Sequence, residues 1–87
     1  MKVMLGKRIR EERIELNLTQ ETFAENVDLT TAYIGQIERG ERNLTLKNLV
    51  KVSNRLGVSV DYLLIYNFLA MIFPLFLVKG LIKNLMC

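Results

Sequence analysis

Between Leu18 and Leu64 the chain is divided into apolar-periodic runs too short for long helices and too helical in period for strands. Each run is set off by hydroxyl residues placed to start a helix or by a residue placed to end one. Thr19 and Thr30 stand where N-caps belong, ahead of runs carrying Phe23, Ala24 and Val27, then Ile34 and Ile37. Gly40 and Gly57 follow the third and fourth runs as stops, and Ser59 caps a fifth that begins near Val60. A tight turn is expected at Val27-Asp28-Leu29, because aspartate tolerates the left-handed backbone better than most residues. The expected helices run from Val3 to Asn17, from the Thr19 cap to about Val27, from Thr31 to Arg39, from about Thr45 to Leu56, and onward from Val60. The predicted core faces are Leu5, Ile9 and Leu16 on the first helix, and Leu46, Leu49, Val50, Ser53 and Leu56 on the fourth.

Two charges interrupt these apolar faces. Arg13 falls on the stripe of the first helix, and Glu38 lies beside Ile34 and Ile37 on the third. A charge on an apolar face needs a partner or access to water. An Arg13–Glu38 ion pair between the two helices satisfies that need; the alternative is two solvated surface charges. Lys7, Arg8 and Arg10, interleaved with Glu11, Glu12 and Glu15, read as a solvated face of alternating sign.

The third helix, turned at its normal pitch, sets Ala32, Gly35, Gln36 and Arg39 opposite the apolar residues, with Thr30 and Thr31 at its N-terminal end. Small polar side chains on an exposed short helix suit entry into the DNA major groove. A glutamine amide can make two hydrogen bonds to adenine, and a threonine methyl can pack on the thymine methyl. Thr30, Thr31, Ala32 and Gln36 are the candidate base readers; the alternative is an ordinary solvated helix face. Tyr33, on the flank, either packs against the second helix or offers its hydroxyl to a phosphate.

The stretch LTQETFAENVDLTTAYIGQIERGERNLTLKNLVKVSNRLGVSVDYLL resembles the lambda-repressor-like (XRE-type) family of helix-turn-helix regulators, and the resemblance covers about residues 5–64. It implies an all-α fold: a compact five-helix DNA-binding domain over residues 1–64. It also implies the Arg13–Glu38 pairing, and DNA-backbone contacts from Gln20, Arg42 and Asn43, with Tyr33 and Arg39 beside them. The function implied is sequence-specific binding of a double-stranded DNA operator as a dimeric repressor. The chain departs from the family pattern at Thr22, where glutamate is frequent, at Asp28, where glycine is common, at Gly35 for serine, and at Leu44 for proline.

At 87 residues there is room for one small domain, and the net charge of +3 is compatible with a nucleic-acid partner without demanding one. A lone Cys87 excludes an intrachain disulfide, and the absence of histidine removes Cys/His metal sites. With no phosphate loop and no nucleophile beside a base, neither catalysis nor a cofactor or small-molecule ligand is expected. The charged start, MKVMLGKRIREERIE, is unlike a signal peptide, which points to the cytoplasm.

From Tyr62 to Val78 the chain carries no charge and is apolar on every side, broken only by Asn67 and Pro74. Residues 65–87 are therefore expected to form an apolar, helical C-terminal tail outside the resemblance. One reading buries it between two copies, as a dimer element. Another inserts it into the bilayer at the inner face of the cell membrane, although its length is at the lower limit of about 17 residues. A third makes the chain an antitoxin-like module whose tail grips a partner protein.

If Glu38 is paired and buried, Glu38→Ala will lower unfolding stability by about 3 kcal/mol. Thermal or urea unfolding measures this, and an unchanged midpoint would leave both charges in solvent.

Overall fold

The computed structural model describes residues 2–64. The tail expected over 65–87, and the choice among its readings, lie outside the described residues. Four α-helices follow one another: α1 (Lys2–Glu15), α2 (Gln20–Asn26), α3 (Thr31–Glu38) and α4 (Leu46–Leu56). A fifth helical segment, α5, starts at residue 60 and continues to residue 64.

Helices this short are marginal in isolation, so their ends must be fixed by local chemistry and their faces by tertiary packing. The same terminus recurs after each of the four. Asn17, Asp28, Gly40 and Gly57 adopt left-handed backbone conformations, with φ of 58°, 58°, 73° and 73°. After each, the next amide N–H reaches back to a carbonyl of the finished helix: Leu18 to Arg13, Leu29 to Ala24, Glu41 to Gln36 and Val58 to Ser53. This is the Schellman arrangement, which satisfies carbonyls the helix would otherwise leave unpaired. The hydroxyls of Thr19, Thr30 and Thr45 then accept the N–H groups of Thr22, Tyr33 and Asn48. Ser59 accepts that of Tyr62 at the start of α5. Three connections thus share one minimal plan of left-handed residue, apolar residue, hydroxyl cap: Asn17-Leu18-Thr19, Asp28-Leu29-Thr30 and Gly57-Val58-Ser59. The connection from α3 to α4 keeps Gly40, Leu44 and Thr45 but inserts Glu41, Arg42 and Asn43.

The core is built from Leu5 and Ile9 of α1, Phe23 and Ala24 of α2, Val27, Ile34 and Ile37 of α3, Leu49, Val52 and Leu56 of α4, and Tyr62 and Leu63. Three expected core positions differ. Leu16 is 44% exposed because α1 stops at Glu15 and the chain turns away at Asn17. The buried face of α4 is centred nearer Val52, which leaves Leu46 and Val50 outside it, 73% and 41% exposed. Tyr62 and Leu63, which open the uncharged run at the end of the expected domain, belong to this core.

α1 packs mainly on α3, and the contact is close enough to exclude side chains. A Cβ on Gly6 would stand 2.0 Å from the carbonyl oxygen of Ile37, and one on Gly40 would stand 2.8 Å from Cα of Val3. One glycine from each side therefore sets the approach of α1 to the end of α3.

The expectation of a solvated face on α1 fails at Arg8 and Glu12, which are buried. Arg8 donates to Glu12 and to the Tyr62 hydroxyl, which in turn donates to Glu12 Oε1 at 3.0 Å. Arg8 also meets Glu11 at 2.8 Å and lies over the Tyr62 ring, 5.3 Å from its centre. Tyr62 reaches α1 from the far end of the domain, and its arrival converts surface charges into a buried network.

Gly6→Ala forces backbone against backbone and will cost about 3 kcal/mol, read from urea unfolding. Burial pushes the Tyr62 phenol up to about 12, with the nearby Arg8 cation opposing the shift. The folded chain then holds this proton where the unfolded chain, with an ordinary value of about 10, releases it. Stability present below about pH 10 is lost as pH rises towards 12. Melting temperatures across that range will fall less steeply for Tyr62→Phe than for the native sequence.

Candidate nucleic-acid interface

The orientation of α3 is set by a buried carboxylate at its last residue. Arg13 Nε donates to Glu38 Oε2 at 2.7 Å and Arg13 Nη2 to Glu38 Oε1 at 3.0 Å, a side-by-side pair. The third nitrogen, Nη1, donates to the Leu18 carbonyl at 2.7 Å. Gln20 Nε2 donates to Glu38 Oε1 at 3.0 Å. One carboxylate thus joins α1, the start of α2 and the end of α3. Gln20 enters this scheme as a bridge between helices: its side-chain amide, expected at a DNA phosphate, has one N–H committed to Glu38.

With Ile34, Ile37 and Glu38 turned inward, Thr30, Thr31 and Ala32 are exposed at the N-terminal end of α3, and Gln36 is half-buried one turn further on. The Thr30 hydroxyl oxygen caps the helix by accepting the Tyr33 N–H at 3.1 Å. Gly35, placed by helical pitch on the outer face, is buried: the Arg39 guanidinium lies 3.0 Å from where its Cβ would be. Arg39 bends back to Glu41, with Nε 2.8 Å from Oε2. That contact lowers the Glu41 carboxyl below its usual range and raises the Arg39 guanidinium, chiefly through the hydrogen bond between them. Both side chains are exposed, so the pair contributes little to stability; its effect is to place an anion beside a cation on this face.

Beyond α3, the inserted residues form a second cluster. Arg42 lies over the Tyr33 ring, 5.1 Å from its centre, and its Nη1 donates to Gln36 Oε1 at 3.4 Å. The Tyr33 hydroxyl accepts from Asn48 Nδ2 at 3.2 Å, tying the flank of α3 to the first turn of α4. Tyr33 therefore packs towards α4 and Arg42. Asn43 is exposed next to Arg42. Asn48 and Glu41 were missed by the sequence reading. The Thr45 cap is the signal that places Asn48 in the first turn of α4, but nothing local marks its contact with Tyr33. Among the described residues there is no group of three or more side chains suited to a metal ion, and no helix long and apolar enough to cross a membrane.

Five short helices around an Arg–Glu pair, with the N-terminal end of the third exposed, define the helix-turn-helix class. The helix-turn-helix family model matches residues 9–63, and the chain belongs to this lambda-repressor-like family of DNA-binding transcription regulators. It is similar to the control protein C.BamHI of Bacillus amyloliquefaciens, with 40% identity over 65 residues, 74% of this chain and 80% of that protein. The control protein C.MunI of a Mycoplasma species is 39% identical over 64 residues, 72% of this chain and 86% of that one. Among solved structures, the restriction-modification controller protein C.AhdI from Aeromonas hydrophila superposes with a TM-score of 0.69 at 39% identity, covering 71% of this chain and 94% of that one. The P22 c2 repressor in complex with a synthetic operator gives 0.65 at 36% identity, covering 68% and 89%.

Proposed function

We propose that this protein is a sequence-specific transcription regulator of the controller type, which binds a double-stranded DNA operator as a homodimer and represses by occupying a promoter. The observation that carries the reading is the α3 surface: Thr30, Thr31, Ala32 and Gln36 face outward on a helix locked by Arg13–Glu38, with Arg39, Arg42 and Asn43 at its far end. In this docking the N-terminal half of α3 enters the major groove, and the flanking residues, with Gln20 and Tyr33, hold the phosphate backbone. The similarity to controller proteins over most of their length supports the regulatory assignment, and the operator-bound P22 c2 repressor supports the DNA partner. Residues 1–64 form the reading domain in this proposal. The uncharged run that continues beyond it to Val78 is assigned to association between copies, because a stretch apolar on every side requires burial. Two copies bring two α3 helices to half-sites about one DNA turn apart.

Fluorescence-anisotropy titration of the full chain with duplexes tiling the region upstream of its own gene will find one segment bound about 10³-fold more tightly than competitor DNA at physiological salt. Equal affinity for every duplex would sink the assignment. Detergent-free sedimentation of the same protein tests the dimer. Sedimentation as a monomer removes the two-half-site geometry, and recovery only with membranes replaces association between copies by a bilayer anchor.

A further inference from the structure

Arg42, assigned above to the DNA backbone, also touches a candidate base reader, and that contact has a chemical direction. A guanidinium carries five donors and no acceptor, so only the oxygen of the Gln36 amide can sit against it. The observed contact is Arg42 Nη1 to Gln36 Oε1 at 3.4 Å. The Arg42 position is itself supported, since its guanidinium rests on the Tyr33 ring at 5.1 Å and that ring is tied to α4 through Asn48. We infer that Arg42 sets the direction of the Gln36 amide and thereby makes Gln36 a reader of guanine, with adenine disfavoured; this rests on the groove docking of α3 proposed above.

The two bases present different edges in the major groove. Adenine offers an acceptor at N7 and a donor at N6, and a glutamine reads it by using its nitrogen and its oxygen together. Guanine offers two acceptors, N7 and O6, and no donor. With its oxygen held by Arg42, Gln36 presents the Nε2 group, which carries two N–H donors and matches the guanine edge. The amide oxygen retains a second lone pair. An adenine amino group brought to it would approach the Arg42 cation with its own partial positive charge, whereas guanine O6 is attracted by the same cation. The hydrogen bond and the charge act in the same direction.

The test is selection of bound duplexes from a randomised pool by the full chain, by Arg42→Met and by Gln36→Ala, with sequencing of the bound fraction. Arg42 is exposed, and methionine keeps an apolar cover over Tyr33, so the variant folds as the parent does; matching thermal unfolding verifies this. The expected result has three parts. The native chain prefers guanine at one position, Gln36→Ala erases that preference, and Arg42→Met transfers it to adenine by about tenfold. Two results overturn the inference while leaving the DNA reading intact. In one, Arg42→Met weakens every sequence alike, as a pure phosphate contact would. In the other, it erases a preference at a position that Gln36→Ala leaves unchanged, which makes Arg42 itself the reader. Absence of any sequence enrichment by the native chain overturns the DNA reading and this inference with it.

Discussion

The geometry of the domain depends on the buried Arg13–Glu38 pair. Removing two charges from water costs several kcal/mol per ion, and the attraction between them offsets this only when the remaining donors and acceptors are also satisfied. Here they are: the Arg13 guanidinium serves both Glu38 oxygens and the Leu18 carbonyl, and Glu38 also accepts from Gln20. A buried pair of this kind contributes to specificity, because no other register of α3 would satisfy the same groups. A purely apolar contact between α1 and α3 would tolerate rotation or sliding of α3. The paired carboxylate at its last residue does not, so the direction in which Thr31, Ala32 and Gln36 point follows from a hydrogen-bonding requirement in the interior.

The glycine contact adds the second coordinate. The Ile37 carbonyl occupies the place of a side chain at Gly6, and Val3 occupies the corresponding place at Gly40. The ion pair selects the rotation of α3, and the glycines set its distance from α1. The chain then leaves α3 through Gly40 and reaches α4 by the one connection that exceeds the minimal plan. Its three added residues are two charged side chains and an amide, and one of them, Arg42, contacts both Tyr33 and Gln36. Elsewhere the linkers turn the chain and pack inward through Leu18, Leu29 and Val58; here the linker adds chemistry to the outward face.

Much of this was legible in the sequence wherever the signal was local. The caps Thr19, Thr30 and Ser59, the left-handed Asp28, and the stops Gly40 and Gly57 follow from residue type and spacing. The end of α1 was placed too far along because Asn17, at the same structural position as those stops, is a weaker signal than glycine. The inward Glu38 was visible because it broke an apolar stripe. Arg8 and Glu12 broke nothing: they sit among alternating charges, and only Tyr62, more than four dozen residues later, shows that they are buried. Gly6 was illegible for the same reason, since the oxygen that excludes its side chain belongs to Ile37. The mutual contacts of the candidate site residues left no local signal: Gln20 with Glu38, Arg39 with Glu41, and Arg42 with Gln36 all depend on the packed arrangement.

Those contacts alter the electrostatic meaning of the composition. Arg8 and Arg13 face carboxylates inside the domain, and Arg39 faces Glu41 at the surface, so these three basic side chains are already balanced where they stand. Affinity for a polyanion comes largely from cations that neutralise phosphates and release counterions. Beside α3, Arg39 is committed to Glu41 in this way, and Arg42 rests on the Tyr33 ring. In the docking proposed above, recognition would therefore lean on base contacts more than on a general basic field.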